Sequence, residues 1–220
     1  MTDSTLTLDT FAFDAATRAL VRLAARIAAG SETEVRAGVN ETVATETPAR
    51  WVEEVILQSY LFAGFPRALN AAREYRRVQG KRHSGVQGKG HSGVLGKGQE
   101  GADFRALGEA TCALVYGKFY DKLRHNIVEL HPELDEWMIL EGYGKVLSRP
   151  GLDLVRRELC IVASCVAAGQ DRQLHSHLHG ARNVGAPARA ISDSLEALDG
   201  VVDEGHLTRA LLLWARVRGR

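Results

Sequence analysis

"RELCIVASCVAAGQDRQLHSHLHGARNVGAPARAISDSL", residues 157–195, reads as helix, turn, helix, turn, helix. Leu154 and Val155 just before it, then Ile161, Val162, Cys165 and Val166, recur at helical rather than alternating spacing. Gly169 marks the first turn, and Pro187 suits the first turn of the third helix, where its missing N–H costs nothing. Residues 18–56, "RALVRLAARIAAGSETEVRAGVNETVATETPARWVEEVI", lie on this stretch without a gap at an offset of 139 positions. Arg18 falls on Arg157, Ala28-Ala29-Gly30 on Ala167-Ala168-Gly169, and Pro48-Ala49-Arg50 on Pro187-Ala188-Arg189. Shared glycine and proline punctuation predicts two copies of one helical unit. Residues 103–130 and 132–147 add further helices, with "SRPG" at 148–151 as a turn. No segment alternates in the manner of a strand, so the class is all-α.

Three octads, "VQGKRHSG", "VQGKGHSG" and "VLGKGQEG", separate the copies at residues 78–101. Rich in glycine and poor in large apolar residues, they cannot bury enough surface to offset the entropy of ordering. The expected organisation is a first unit at 1–77, a linker at 78–101 and a second unit at 102–220. G-x-G-x-x-G occurs at Gly88 and at Gly96, but no strand precedes either, so neither reads as a nucleotide loop, and His83 and His91 do not read as ligands.

The chain is 45% hydrophobic and 25% charged with a net charge of +1, which gives no basic excess for nucleic acid. The N-terminal residues lack the charged and apolar regions of a signal peptide, and no apolar run is long enough for a bilayer. A soluble, cytoplasmic protein with neither nucleic-acid nor membrane partners is expected. Cys112, Cys160 and Cys165 form no C-x-x-C and read as small core residues rather than a disulfide framework.

His175, His177 and His179 lie two apart among the chain's 8 histidines. Each helical residue advances about 100°, so His175 and His179 share one flank while His177 points the other way. A three-histidine metal site is therefore disfavoured, and the i, i+4 pair lacks the H-E-x-x-H pattern or a third ligand. Glu158 lies on the same face as Leu154, Ile161, Val162 and Cys165 and needs a buried partner. His177, folded back by the turn at Gly169, is the natural one. A facing Glu and His can pass protons near neutral pH; they can also merely order two helices. In the first copy the equivalent positions are Ala19 and Gly38, so both partners vanish together.

The stretch "GYGKVLSRPGLDLVRRELCIVASCVAAGQDRQLHSHLHGARNVGA" resembles the signature region of the carboxymuconolactone decarboxylase family, within the alkylhydroperoxidase D-like superfamily. "RPGLD", "REL", an apolar helix, "G", "QL", "H" and "A.N.G" follow in order; 107–198 matches well and 16–75 more loosely. The resemblance implies an all-helical bundle that works as a homo-oligomer, for two fused units a trimer forming a pseudo-hexamer. In the peroxidase branch a Glu and a His serve a C-x-x-C; here Glu158 and His177 hold those two positions, but Gln170 and Gln173 replace the cysteines. The decarboxylase branch uses neither metal nor organic cofactor. The resemblance then makes His177 the acid/base residue and Glu158 its partner, acting on a small organic acid or lactone. Arg157 and Arg149 are the candidates for a substrate carboxylate. At Gln173 the decarboxylases commonly have a glutamate, so the substrate need not be carboxymuconolactone itself. Tyr60, Phe62 and Phe65 of the first copy are candidates to complete the pocket. Thiol-dependent peroxidase activity and a non-catalytic ligand-binding oligomer are the alternative readings.

Overall fold

The computed structural model describes residues 11–83 and 102–219, and among them every regular element is helical. The first four helices are α1 (Ala15–Ala29), α2 (Glu32–Ala44), α3 (Ala49–Gln58) and α4 (Tyr60–His83). After the octads come α5 (Phe104–Tyr116), α6 (Tyr120–Leu130), α7 (Pro132–Trp137), which runs on as a π-helix (Met138–Leu147), then α8 (Leu154–Ala167), α9 (Asp171–Asn183), α10 (Ala188–Glu196) and α11 (Glu204–Arg218). No helix among the described residues is long and apolar enough to cross a membrane.

Local chemistry sets the helix starts. Asp14, Asp103, Asp153 and Asp203 each accept a backbone N–H at the head of α1, α5, α8 and α11. Ser31 and Glu34 form a reciprocal capping box on α2. Advanced by 139 positions, Glu32–Ala44 coincides with Asp171–Asn183, and the starts of α1 and α3 fall on those of α8 and α10. Glu46, with φ 53°, falls on Gly185, with φ 97°; both occupy the turn before the next helix.

Helices α1 and α8 form the centre and run in the same direction. Arg156 Nε donates to Thr17 Oγ1 at 2.9 Å near their heads, and Ser164 Oγ reaches Ala24 O at 3.4 Å two turns further on. Every residue of α8 from Arg157 to Ala167 is buried. The π-helix packs on α5 backbone to backbone: a Cβ on Gly108 would lie 2.1 Å from Ile139 O, and one on Gly144 2.2 Å from Phe104 O. This close approach places Tyr143 against the inner end of α5.

The octad segment differs from expectation at its start. Helix α4 breaks at Gly64 (φ 79°), resumes with Pro66 in its first turn, and continues to His83, so residues 78–83 are helical. Val78, Gln79, Lys81 and Arg82 are adequate helix formers, and Gly80 alone does not stop a helix already begun. The two G-x-G-x-x-G stretches and His91 lie outside the described residues, as does the side chain of His83.

Candidate functional site

Glu158 occupies the second turn of α8 with its side chain fully buried. Around it lie Cys112 and Tyr116 of α5, Tyr143 of the π-helix and Cys165 of α8; burial first, and then the Glu158 charge among other neighbours, pushes the pKa of all four up. Gly180 of α9 makes the space, since a Cβ there would lie 2.7 Å from Glu158 Oε2 and 2.8 Å from Val115 Cγ1.

The turn at Gly169 lays α9 back along α8 and brings His177, 3% exposed, to Glu158. His177 Nδ1 and Glu158 Oε2 are 2.9 Å apart. With the carboxylate ionised, Nδ1–H donates, leaving Nε2 with its lone pair directed elsewhere. The other carboxylate oxygen, Oε1, is buried without a hydrogen-bond partner among the described residues. The edge of Phe62 meets the imidazole at 5.6 Å and 83°.

A cavity of about 220 Å³ lies nearby, walled by Leu61 and Phe62 of α4, Ser164 and Cys165 of α8, and Gln170 and Gln173 at the head of α9; Phe62 links it to the imidazole, and neither Glu158 nor His177 is part of its lining. Gln173 stands one turn before His177 on α9, exposed at the mouth. Of the three aromatic residues considered from the first half, only Phe62 reaches this place. Tyr60 and Phe65 stack on each other at 4.6 Å and line a separate groove.

Arg157 and Arg149 require a correction as carboxylate binders, because Glu54 already takes both. Arg157, 0% exposed, gives Nη2 to Glu54 Oε2 at 2.9 Å and to Arg149 O at 3.0 Å, Nη1 to Gln58 Oε1 at 3.1 Å and Nε to Leu152 O at 3.2 Å. Arg149 meets the same carboxylate through Nε at 3.1 Å and Nη2 at 3.0 Å. Burial pushes the Glu54 carboxyl up, but hydrogen bonds from Arg149 and Arg157 outweigh it and hold the group below its ordinary range. The missed signal was Glu54 and Gln58, four apart among Val52, Val55 and Ile56.

The three thiols are all buried and unpaired with one another, and burial pushes each up to about 12. His175 and His179 lie on the opposite flank of α9 from His177, their rings 4.9 Å apart, at a separate cleft. Among the described residues no group of three or more His, Cys, Asp or Glu is placed to hold a metal ion.

Comparison with known proteins gives one family. Residues 117–216 match the model of the carboxymuconolactone decarboxylase family, a span that contains α8, α9 and both Glu158 and His177 but none of α1–α4. No curated protein matches the chain.

Proposed function

We propose, from the premise that residues 117–216 belong to the carboxymuconolactone decarboxylase family, that this chain is an enzyme of the decarboxylase type acting on a small organic acid or lactone. The observation that carries the reading is the buried contact of 2.9 Å between His177 Nδ1 and Glu158 Oε2, with Phe62 shared between the imidazole and a nearby cavity. Glu158 fixes the orientation of the ring, while Nε2 is the atom that exchanges a proton with substrate. For a lactone bearing a carboxylate, the bond to CO2 breaks and its electron pair passes into the conjugated lactone. The imidazolium then returns a proton to carbon, and solvent restores it. Gln173 and Gln170 supply neutral amide donors at the mouth, suited to a carboxylate or a lactone carbonyl.

Two features speak against the thiol reading. Positions 170 and 173 are glutamines, and Cys165, the cavity's thiol, is 2% exposed and held protonated. The chain is read further as two copies of one unit, in which the first keeps the frame and lends Phe62 as a wall. Assembly as a trimer of such chains would cover exposed apolar side chains such as Leu130, Leu134 and Trp137.

The test is turnover by the full chain on carboxymuconolactone and related lactone acids, followed by loss of substrate absorbance and release of CO2. Replacing His177 with Ala is expected to lower turnover by about 10²-fold or more, with the helical circular-dichroism signal unchanged. Equal turnover in the variant, or activity that appears only with a hydroperoxide and a thiol reductant, would overturn the reading.

A further inference from the structure

A cavity larger than the one walled by Phe62 and Gln173 lies elsewhere on the second half of the chain. A cleft of about 830 Å³ opens on the other flank of α9, between that helix and the segment that joins α5 to α6. Its apolar lining includes Val115, Tyr116, Phe119 and Leu123. Its polar lining is one-sided: Lys118, Lys122 and Arg182 face it, His175 and His179 join them, and no carboxylate lines it among the described residues. In a chain whose net charge is only +1, this is a local concentration of positive charge. Arg182 is fixed in place, since its Nη1 donates to Val217 O at 2.7 Å, and its remaining N–H groups stay available. Asn183 Nδ2 donates to Val115 O at 2.8 Å and ties α9 to the end of α5, holding the walls at a set distance.

We infer that this cleft is a second binding site, for an amphipathic organic anion whose apolar body lies on Val115, Phe119 and Leu123 and whose carboxylate meets Lys118, Lys122 and Arg182. Its volume lies within the range of ligand pockets, roughly 300–1,000 Å³, and it has their usual makeup of an apolar lining with a few convergent polar groups. An inorganic anion would leave the apolar wall wet, and an uncharged chain would leave the cations unanswered. Membrane and nucleic-acid surfaces are too broad to enter a cleft of this size. The cleft shares Tyr116 with the surroundings of Glu158, but neither Glu158 nor His177 lines it, so the inference stands whether or not that pair is catalytic.

Decanoate is the probe, titrated into the full chain by calorimetry, with acetate and decanol as the charge alone and the apolar body alone. Saturable decanoate binding is expected, with both controls weaker by about tenfold or more, the size of one lost charge-assisted contact or apolar body. Lys118→Glu with Lys122→Glu, both at exposed positions, is expected to weaken decanoate by at least about tenfold while the melting temperature holds. Asn126→Trp, exposed at the cleft, is expected to fill it and abolish binding. Decanol binding as tightly as decanoate, indifference to charge reversal and to Asn126→Trp, or no saturable binding would overturn the inference. So would charge reversal that splits an oligomer without any decanoate site, which would make the cleft a contact between copies of the chain.

Discussion

Advanced by 139 positions, helices α1 and α2 begin where α8 and α9 begin, yet the contact faces of the two pairs are built differently. Where α8 and α9 bring Glu158 and His177 together, α1 and α2 carry Ala19 and Gly38. The space at Gly38 is taken by Leu23 and Arg26, each of which a Cβ would meet at 3.1 Å. Arg26 Nη1 then reaches Glu41 Oε2 at 2.6 Å, and Arg22 Nε joins Glu41 at 2.9 Å, so the polar groups of this pair sit at a partly solvated rim. Glu41 is the counterpart of Gly180, the residue whose lack of a side chain admits Glu158. One pair of helices thus buries threonines, Thr17 and Thr42, but no acid, whereas the other buries an acid with one oxygen unpartnered among the described residues. An unsatisfied buried acceptor costs about 1–3 kcal/mol, more when charged. Since α1 and α2 pack without such a group, the pair in α8 and α9 is not needed to join the helices, which supports a chemical role for it.

The sharpest break in the comparison concerns two arginines at matching positions. Arg18 is exposed, while Arg157 is wholly buried and shares Glu54 with Arg149. Removing one partner of a buried ion pair leaves the other uncompensated at about 3–5 kcal/mol, whereas a surface change stays within about 0.5 kcal/mol. Arg157→Ala should therefore lower the unfolding free energy by about 3–5 kcal/mol, and Arg18→Ala should leave it nearly unchanged, both read by urea denaturation. The pH dependence follows from Glu54, whose carboxyl is held below its unfolded value. Its stabilisation is present above the ordinary carboxylate range and disappears as pH falls through the folded value. Arg157→Ala should flatten that acid loss; a variant as steep as the parent would show that Glu54 is not its source.

A smaller effect is expected from the two glycines. A methyl group at Gly180 collides with Glu158 and Val115, at 2.7 and 2.8 Å, whereas one at Gly38 meets Leu23 and Arg26 at 3.1 Å, where the long Arg26 side chain can yield. Gly180→Ala should cost about 1–3 kcal/mol by overpacking and displace Glu158 from His177, lowering turnover as well. Gly38→Ala should cost less than about 1 kcal/mol and leave turnover alone. Equal effects at the two positions would mean that the room at Gly180 has nothing to do with Glu158.

Much of this frame is legible in the order of residues because the signals are local. Gly169, Pro187 and the apolar spacing of α8 place the turns and the inward face, and that face carries Glu158 to His177 without further information. The fate of Arg157 and Arg149 is not local. Their partner, Glu54, lies about a hundred positions away, and from spacing alone an inward arginine beside an inward glutamate looks like part of one site. Nor does sequence reveal that Phe62, rather than Tyr60 or Phe65, meets the imidazole, because that contact joins α4 to α9 across more than a hundred positions. The π-helix and its close packing through Gly108 and Gly144, which bring Tyr143 beside Glu158, likewise depend on two backbones meeting.

The smallest effect concerns the thiols and separates the proposed proton-transfer chemistry from a thiol-dependent one. Cys165 stands where the first half has Arg26, so the half that keeps a buried acid also keeps a thiol at its cavity. Burial holds that thiol at about 12, as it does Cys112 and Cys160, so that only roughly one in 10⁴ is thiolate at pH 8. Iodoacetamide should therefore leave all three unmodified in the native chain and modify all three in denaturant, as read by mass spectrometry, and Cys165→Ser should change turnover by less than about twofold, since a proton carrier at His177 needs no nucleophile on α8. Rapid native alkylation at Cys165, with loss of activity, would instead mean that the second half differs from the first by a working thiol and that the acid and the imidazole serve it.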